Sequence, residues 1–181
     1  PYYMKLAQER GCKFILIDPV YNVSAECLGA QWIPIRPGTD TAFGLAVAYV
    51  LYTEDLYDHE YVEKWVEPDG FEEWRKYIVG EVDGVVHDPE WAEPITGIPA
   101  ETITAFARYY ASMKPVHLQQ MYGVSKRNLG DYAAAVAMLL QAMTGNLSIP
   151  GGCEGGGASL VTQPRIFAPV PDTGQIKGDV V

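Results

Sequence analysis

The run Phe14-Ile15-Leu16-Ile17 is apolar at every position and stops abruptly at Asp18-Pro19. A strand with one face in water alternates apolar and polar residues. An unbroken run this short therefore belongs to a strand covered on both faces, as in a parallel sheet lying between helices. Downstream, Trp32-Ile33-Pro34-Ile35 gives a second brief strand whose proline suits an edge or an end, and Pro37-Gly38 turns the chain just before Thr39 and Asp40. Each strand thus delivers a carboxylate to its end. Ligands of open parallel sheets sit at strand carboxyl ends, where an acid accepts hydrogen bonds from ribose hydroxyls, so nucleotide binding is the first hypothesis.

The rest of the chain alternates in the same manner. Residues 2–10 have helical composition and end at Gly11, and Ser24-Ala25-Glu26 suggests a short helix between the two strands. Residues 41–53 are apolar nearly all round, which predicts a deeply buried helix that Thr39 or Asp40 can cap. Residues 54–95 are acidic and rich in aromatics, with breaks at Pro68-Asp69-Gly70, Asp83-Gly84 and Asp88-Pro89. They read as an insertion of two or three short helices folding their rings onto a core, or alternatively as an exposed acidic and aromatic partner surface. Ile103, Phe106, Ala107 and Tyr110 fall on one face of a helix opened by Ile98-Pro99. Val116-His117-Leu118 resembles a third core strand, in which His117 reads as a core imidazole. A loop over 120–130 and an apolar helix over 132–144, ended by Gly145-Asn146, complete the pattern.

The predicted fold class is α/β: an open, mostly parallel sheet with helices on both faces, a Rossmann-like three-layer domain over 1–150, and a Gly/Pro-rich C-terminal tail over 151–181. A chain of 181 residues is long enough for one well-buried core of this kind and not for two.

Composition narrows the function. The net charge of −10 argues against a nucleic-acid partner, because such affinity comes largely from Lys and Arg neutralising phosphates. No apolar stretch approaches the roughly eighteen residues that span a bilayer, and the opening at Pro1 suggests a piece of a longer protein. Cys12, Cys27 and Cys153 are far apart and form no Cys-x-x-Cys pair, so neither a zinc site nor an iron–sulfur cluster is predicted. No Ser, Cys or His lies in a recognisable nucleophile pattern, so no catalytic residue is assigned.

Asp18 reads equally well as an acceptor for nucleotide hydroxyls or as the Asp-Pro turn that ends a strand. Asp40 reads either as an N-cap or as the carboxylate that takes both donors of a guanine, its N1–H and its N2 amine. Phosphate recognition has no standard motif here: G-x-G-x-x-G after the first strand and G-x-x-x-x-G-K-[ST] are both absent. The loop Tyr122-Gly123-Val124-Ser125-Lys126-Arg127 is the remaining candidate, since glycine admits close backbone approach and Lys126 and Arg127 can meet an anion.

Several stretches, taken in order, carry a family resemblance. They are Ile17-Asp18-Pro19, Trp32-Ile33-Pro34-Ile35-Arg36-Pro37-Gly38-Thr39-Asp40, Thr53-Glu54-Asp55-Leu56-Tyr57-Asp58, Pro89-Glu90-Trp91-Ala92, Ile95-Thr96-Gly97-Ile98-Pro99-Ala100, and Thr144-Gly145-Asn146 with Pro150-Gly151-Gly152. Together they resemble the molybdopterin oxidoreductases of the dimethyl sulfoxide reductase family. The resemblance implies the nucleotide-binding domain of a larger catalytic subunit, holding one guanosine arm of a molybdenum bis(molybdopterin guanine dinucleotide) cofactor. The implied cofactor contacts are Ile17, Asp18, Pro19, Val20 and Tyr21, then Gly38, Thr39 and Asp40, and finally Tyr122, Gly123 and Lys126.

The resemblance also implies that the molybdenum ligand and any iron–sulfur cluster lie upstream. Its further implications are an electron-transfer iron–sulfur subunit, a membrane anchor reached through partner subunits, and a small-molecule substrate such as dimethyl sulfoxide. Formate, nitrate, polysulfide or thiosulfate chemistry, and a non-catalytic nucleotide-binding module, are the alternatives. Relatives commonly show Trp, then Arg, then Asn-Gly in the later loop, where this chain has Tyr122, Lys126 and Leu129-Gly130.

Overall fold

The computed structural model describes residues 2–120 and 122–152; the predicted tail beyond that point, with Cys153, lies outside the described residues. Helix α1 (Tyr2–Glu9) leads into strand β1 (Ile15–Ile17), helix α2 (Val23–Leu28) and strand β2 (Gln31–Ile33). The strands pair in parallel, with Ile15 opposite Gln31 and Ile17 opposite Ile33. Parallel neighbours need a crossover, and α2 supplies it, started by Asn22 Oδ1, which accepts from Ala25 N at 3.1 Å.

Helix α3 (Asp40–Thr53) is the centre of the molecule. Ala46, Val47, Ala48 and Leu51 are fully buried in it, and Phe43, Leu45 and Val50 nearly so. A helix apolar all round has to be surrounded, and α3 packs against α5 (Pro68–Ile78), α6 (Pro89–Thr96), α7 (Ala100–Ser112) and α9 (Gly130–Met143). Gly44 lets α9 approach closely: a Cβ there would run into Val136 Cγ1.

The acidic region forms α4 (His59–Trp65), α5 and α6. Tyr57, Phe71, Trp74, Tyr77 and Trp91 pack against the core, while Trp65 stays exposed. The rings are therefore mainly core, and not an open partner surface. Each helix start is locally encoded. Asp58 Oδ1 accepts from Tyr61 N at 2.9 Å, and Asp88 Oδ1 from Trp91 N at 2.7 Å with Pro89 at the first helical position.

Three expectations need correction. Residues 116–118 are not a strand: the two-stranded parallel sheet is the whole sheet among the described residues, and the chain is helix-rich α/β. The Val116 N–H is satisfied by the side-chain oxygen of Asn146 at 2.9 Å, so it has no place in a ladder. His117 is exposed, with Nδ1 3.0 Å from Gly152 O; the buried imidazole is His87, which lies between Tyr77 and Trp91 with Nδ1 3.0 Å from Tyr77 O. The helix expected over 132–144 begins earlier, at Gly130, after a short α8 (Tyr122–Ser125) inside the predicted loop.

Candidate functional site

Parallel pairing sends the loops after β1 and β2 out from one end of the sheet. In the first loop, Asp18 N donates to Ile33 O at 3.3 Å, which extends the ladder by one bond. Asp18 Oδ1 accepts from Val20 N at 2.8 Å, closing a tight Asp-Pro turn. Asp18 O accepts from Trp32 Nε1 at 2.8 Å, and the Tyr21 ring meets Trp32 edge-on at 5.7 Å. Ile17 packs against the core, whereas Pro19 is exposed, and Val20 and Tyr21 are 64% and 50% exposed. The loop thus presents a carboxylate and apolar surface together.

The second loop is held more firmly. Ile35 is buried, Arg36 N donates to Thr96 O at 2.9 Å, and the Arg36 guanidinium donates to the carbonyls of Pro94 and Ile95 at the end of α6. Thr39 does not cap α3 with its side chain; its Oγ1 donates to Arg36 O at 2.8 Å and tightens the turn. Gly38 sits at φ 90°, where a side chain is strained, and a Cβ there would collide with Arg127 Nη1. Asp40 is the first residue of α3, at the positive end of the helix dipole.

Arg127 draws the third loop onto the second. Its Nη2 donates to Asp40 Oδ2 at 2.9 Å and its Nε to Val124 O at 2.9 Å, across eighty-seven residues of sequence in the first case. Gly123 lies in α8 with open space where a Cβ would stand, and Lys126 is exposed on the following turn. Tyr122 begins α8; its side chain lies outside the described residues. The sequence offers Arg127, beside Lys126, as a group able to meet an anion, but not among the implied cofactor contacts; the anion it meets here is the Asp40 carboxylate.

Asp18 and Asp40 are not joined by a hydrogen bond, and each has a partner of its own. A cavity of about 220 Å³, lined in part by Phe14, Ile15, Leu28, Gln31 and Tyr109, opens at the amino ends of the strands, and neither acid lines it. At the far end of α9, Asp58 N donates to Met143 O and Asp58 Oδ2 meets Lys114 Nζ at 2.6 Å. That contact, with the Tyr61 N–H, holds the Asp58 carboxyl below the ordinary aspartate value. Among the described residues no group of three or more His, Cys, Asp or Glu side chains is arranged to hold a metal ion, and no helix is long and apolar enough to cross a membrane.

The chain is 38% identical to the probable dimethyl sulfoxide reductase chain YnfF of Escherichia coli (strain K12), over 85% of this chain and 21% of that protein. It is 37% identical to the dimethyl sulfoxide reductase DmsA of Haemophilus influenzae, over 93% of this chain and 22% of the relative. The chain belongs to the dimethyl sulfoxide reductase family.

It spans about a fifth of the length of those family members. The dimethyl sulfoxide/trimethylamine N-oxide reductase of Rhodobacter capsulatus is 32% identical over 90% of this chain. Among solved structures, acetylene hydratase from Pelobacter acetylenicus superposes with a TM-score of 0.69 at 32% identity, covering 80% of this chain and 19% of that one. No protein-family model matches the chain.

Proposed function

We propose that this chain is the part of a molybdenum-dependent oxidoreductase that receives one guanosine arm of a bis(molybdopterin guanine dinucleotide) cofactor. The full-length enzyme reduces dimethyl sulfoxide or a similar oxide by oxygen-atom transfer. The observation that carries the reading is that two loops leave one end of a parallel strand pair and that the second of them is joined to a third. The Asp18 turn and the Gly38-Thr39-Asp40 turn both leave from that end, and Arg127 brings the loop from Tyr122 onto Gly38 and Asp40.

The donors and acceptors present suit such a ligand. Asp40 offers carboxylate oxygens to the N1–H and N2 amine of guanine, and Asp18 is at the strand tip where ribose hydroxyls need an acceptor. Val20 and Tyr21 give exposed apolar surface for a flat ring system. Gly38 and Gly123 allow the backbone to come close, and Lys126 and Arg127 supply positive charge for a pyrophosphate. Ile17, Pro19 and Thr39 shape the two turns. When bound, the cofactor supplies the molybdenum chemistry that moves an oxygen atom and two electrons. The residues of this chain bind it, orient it and shield it from water, and alone they are inactive.

In the intact protein the strand pair belongs to a larger Rossmann-like sheet, and an iron–sulfur electron-transfer subunit and a membrane anchor complete the assembly. The likeness to a protein named acetylene hydratase favours a second possibility, that the same domain serves a different reaction, since a scaffold does not fix chemistry.

Asp40→Ala in the full-length protein tests the assignment. A buried guanine left without its acceptor strands donors at about 1–3 kcal/mol, on the order of a tenfold loss of retention or more. Molybdenum and guanine nucleotide measured after purification should both fall. Unchanged content of both would count against the assignment.

A further inference from the structure

Asn146 belongs to one of the sequence signposts but lies outside the three loops of the candidate site, and its bonds go to Gln141, Thr144 and Val116. It is completely buried, and a buried carboxamide must be hydrogen-bonded. Its backbone N–H donates to Gln141 O at 2.8 Å, which bolts it to the end of α9. Thr144 Oγ1 gives its proton to Leu140 O at 2.9 Å and so is left as an acceptor. Asn146 Nδ2 donates to that hydroxyl at 2.9 Å, which fixes the orientation of the amide. Oδ1 is thereby aimed the other way, and it accepts from Val116 N at 2.9 Å.

Val116 starts the irregular segment 116–120 that precedes α8 in the chain, and among the described residues the segment has no sheet ladder to hold it. Other bonds also hold the segment, among them His117 Nδ1, 3.0 Å from Gly152 O, and Gln120 Nε2, which donates to Ala133 O at 3.0 Å. The Asn146 bond is made by a fully buried side chain whose amide orientation is fixed from the core side.

We propose that Asn146 is a positioning residue. It replaces a missing strand partner for residues 116–120 and so sets the place of the loop from Tyr122 to Arg127 over Gly38 and Asp40. The inference rests on the cofactor reading of that loop given above.

The test uses the full-length protein, purified with cofactor and also from cells starved of molybdate. Asn146→Leu keeps the branched shape and heavy-atom count and removes both side-chain hydrogen bonds, whereas Asn146→Asp keeps the acceptor for Val116 N. In the cofactor-free protein, hydrogen exchange of peptides covering 115–126 should quicken by about tenfold in Asn146→Leu and stay within about threefold of the parent in Asn146→Asp. Guanine nucleotide content of the loaded protein should fall in the same order. Unchanged exchange in Asn146→Leu overturns the proposal. So does equal loosening in Asn146→Asp, which would mean that packing and not the Val116 bond matters.

If Asn146→Leu does not fold, Thr144→Val decides: loss of the hydroxyl that orients the carboxamide should quicken the same peptides by a smaller factor, and no change overturns the proposal. Faster exchange with full nucleotide content, in a protein that loses nucleotide on Asp40→Ala, breaks the link from segment to loop. Faster exchange with nucleotide untouched by Asp40→Ala sinks the cofactor reading and leaves the mooring intact.

Discussion

Helix α3 follows the β1/β2 pair directly, with only residues 34–39 between the end of β2 and its first turn, yet the two are built to opposite specifications. Most of α3 is buried on every side, whereas β1 has no fully buried residue and β2 has one, Ile33. The helix is enclosed by four others; the strands have only each other among the described residues. Two-stranded pairs are marginal by themselves. The difference teaches that stability and ligand presentation are carried by separate parts, joined at residues 34–40, where β2 runs into α3.

The largest expected effect tests that contrast directly. Leu51→Ala in α3 should cost about 2–5 kcal/mol, the range for emptying a fully buried leucine site. Leu16→Ala in half-buried β1 should cost roughly 1.5 kcal/mol or less. Chemical denaturation of both variants decides, and equal losses would break the contrast.

Next in size is Gly44→Ala, whose new methyl group meets Val136 across the α3–α9 contact. It should destabilise by about 1–3 kcal/mol through overpacking, and Val136→Ala in the same chain should recover part of the loss. Additive losses would show that the two helices are not in close register there.

Asp58→Ala sharpens the comparison from the outside of the core. It removes a helix N-cap worth about 1 kcal/mol and a partly exposed ion pair with Lys114 worth less than that. Because the carboxyl is held below its ordinary 3.8, its contribution is complete above that value and is lost as pH falls through the lowered one. The melting-temperature gap between parent and variant should therefore be full at neutral pH and shrink in strong acid. A gap independent of pH would remove the charge from the account.

Local features of the fold were legible in the sequence because their causes are local. The apolar run before Asp18, the helix starts at Asp58 and Asp88, and the face formed by Ile103, Ala107 and Tyr110 each follow from spacing or capping within a few residues. The misreadings share one cause, dependence on a distant partner. Val116-His117-Leu118 has strand composition, but its N–H is claimed by an asparagine thirty residues on. His117 sits in an apolar run yet faces outward, while His87, flanked by acid and valine, is the one enclosed. At the candidate site the two acidic turns were visible as strand ends. The grip of Arg127 on Asp40 was not, because nothing in either segment alone requires it.

Arg36 reaches the end of α6 through the carbonyls of Pro94, Ile95 and Thr96, all main-chain atoms. A peptide oxygen is the same whichever residue carries it. The anchorage of the Gly38 turn is therefore indifferent to side-chain drift along that helix, and only a change in its path would loosen the hold.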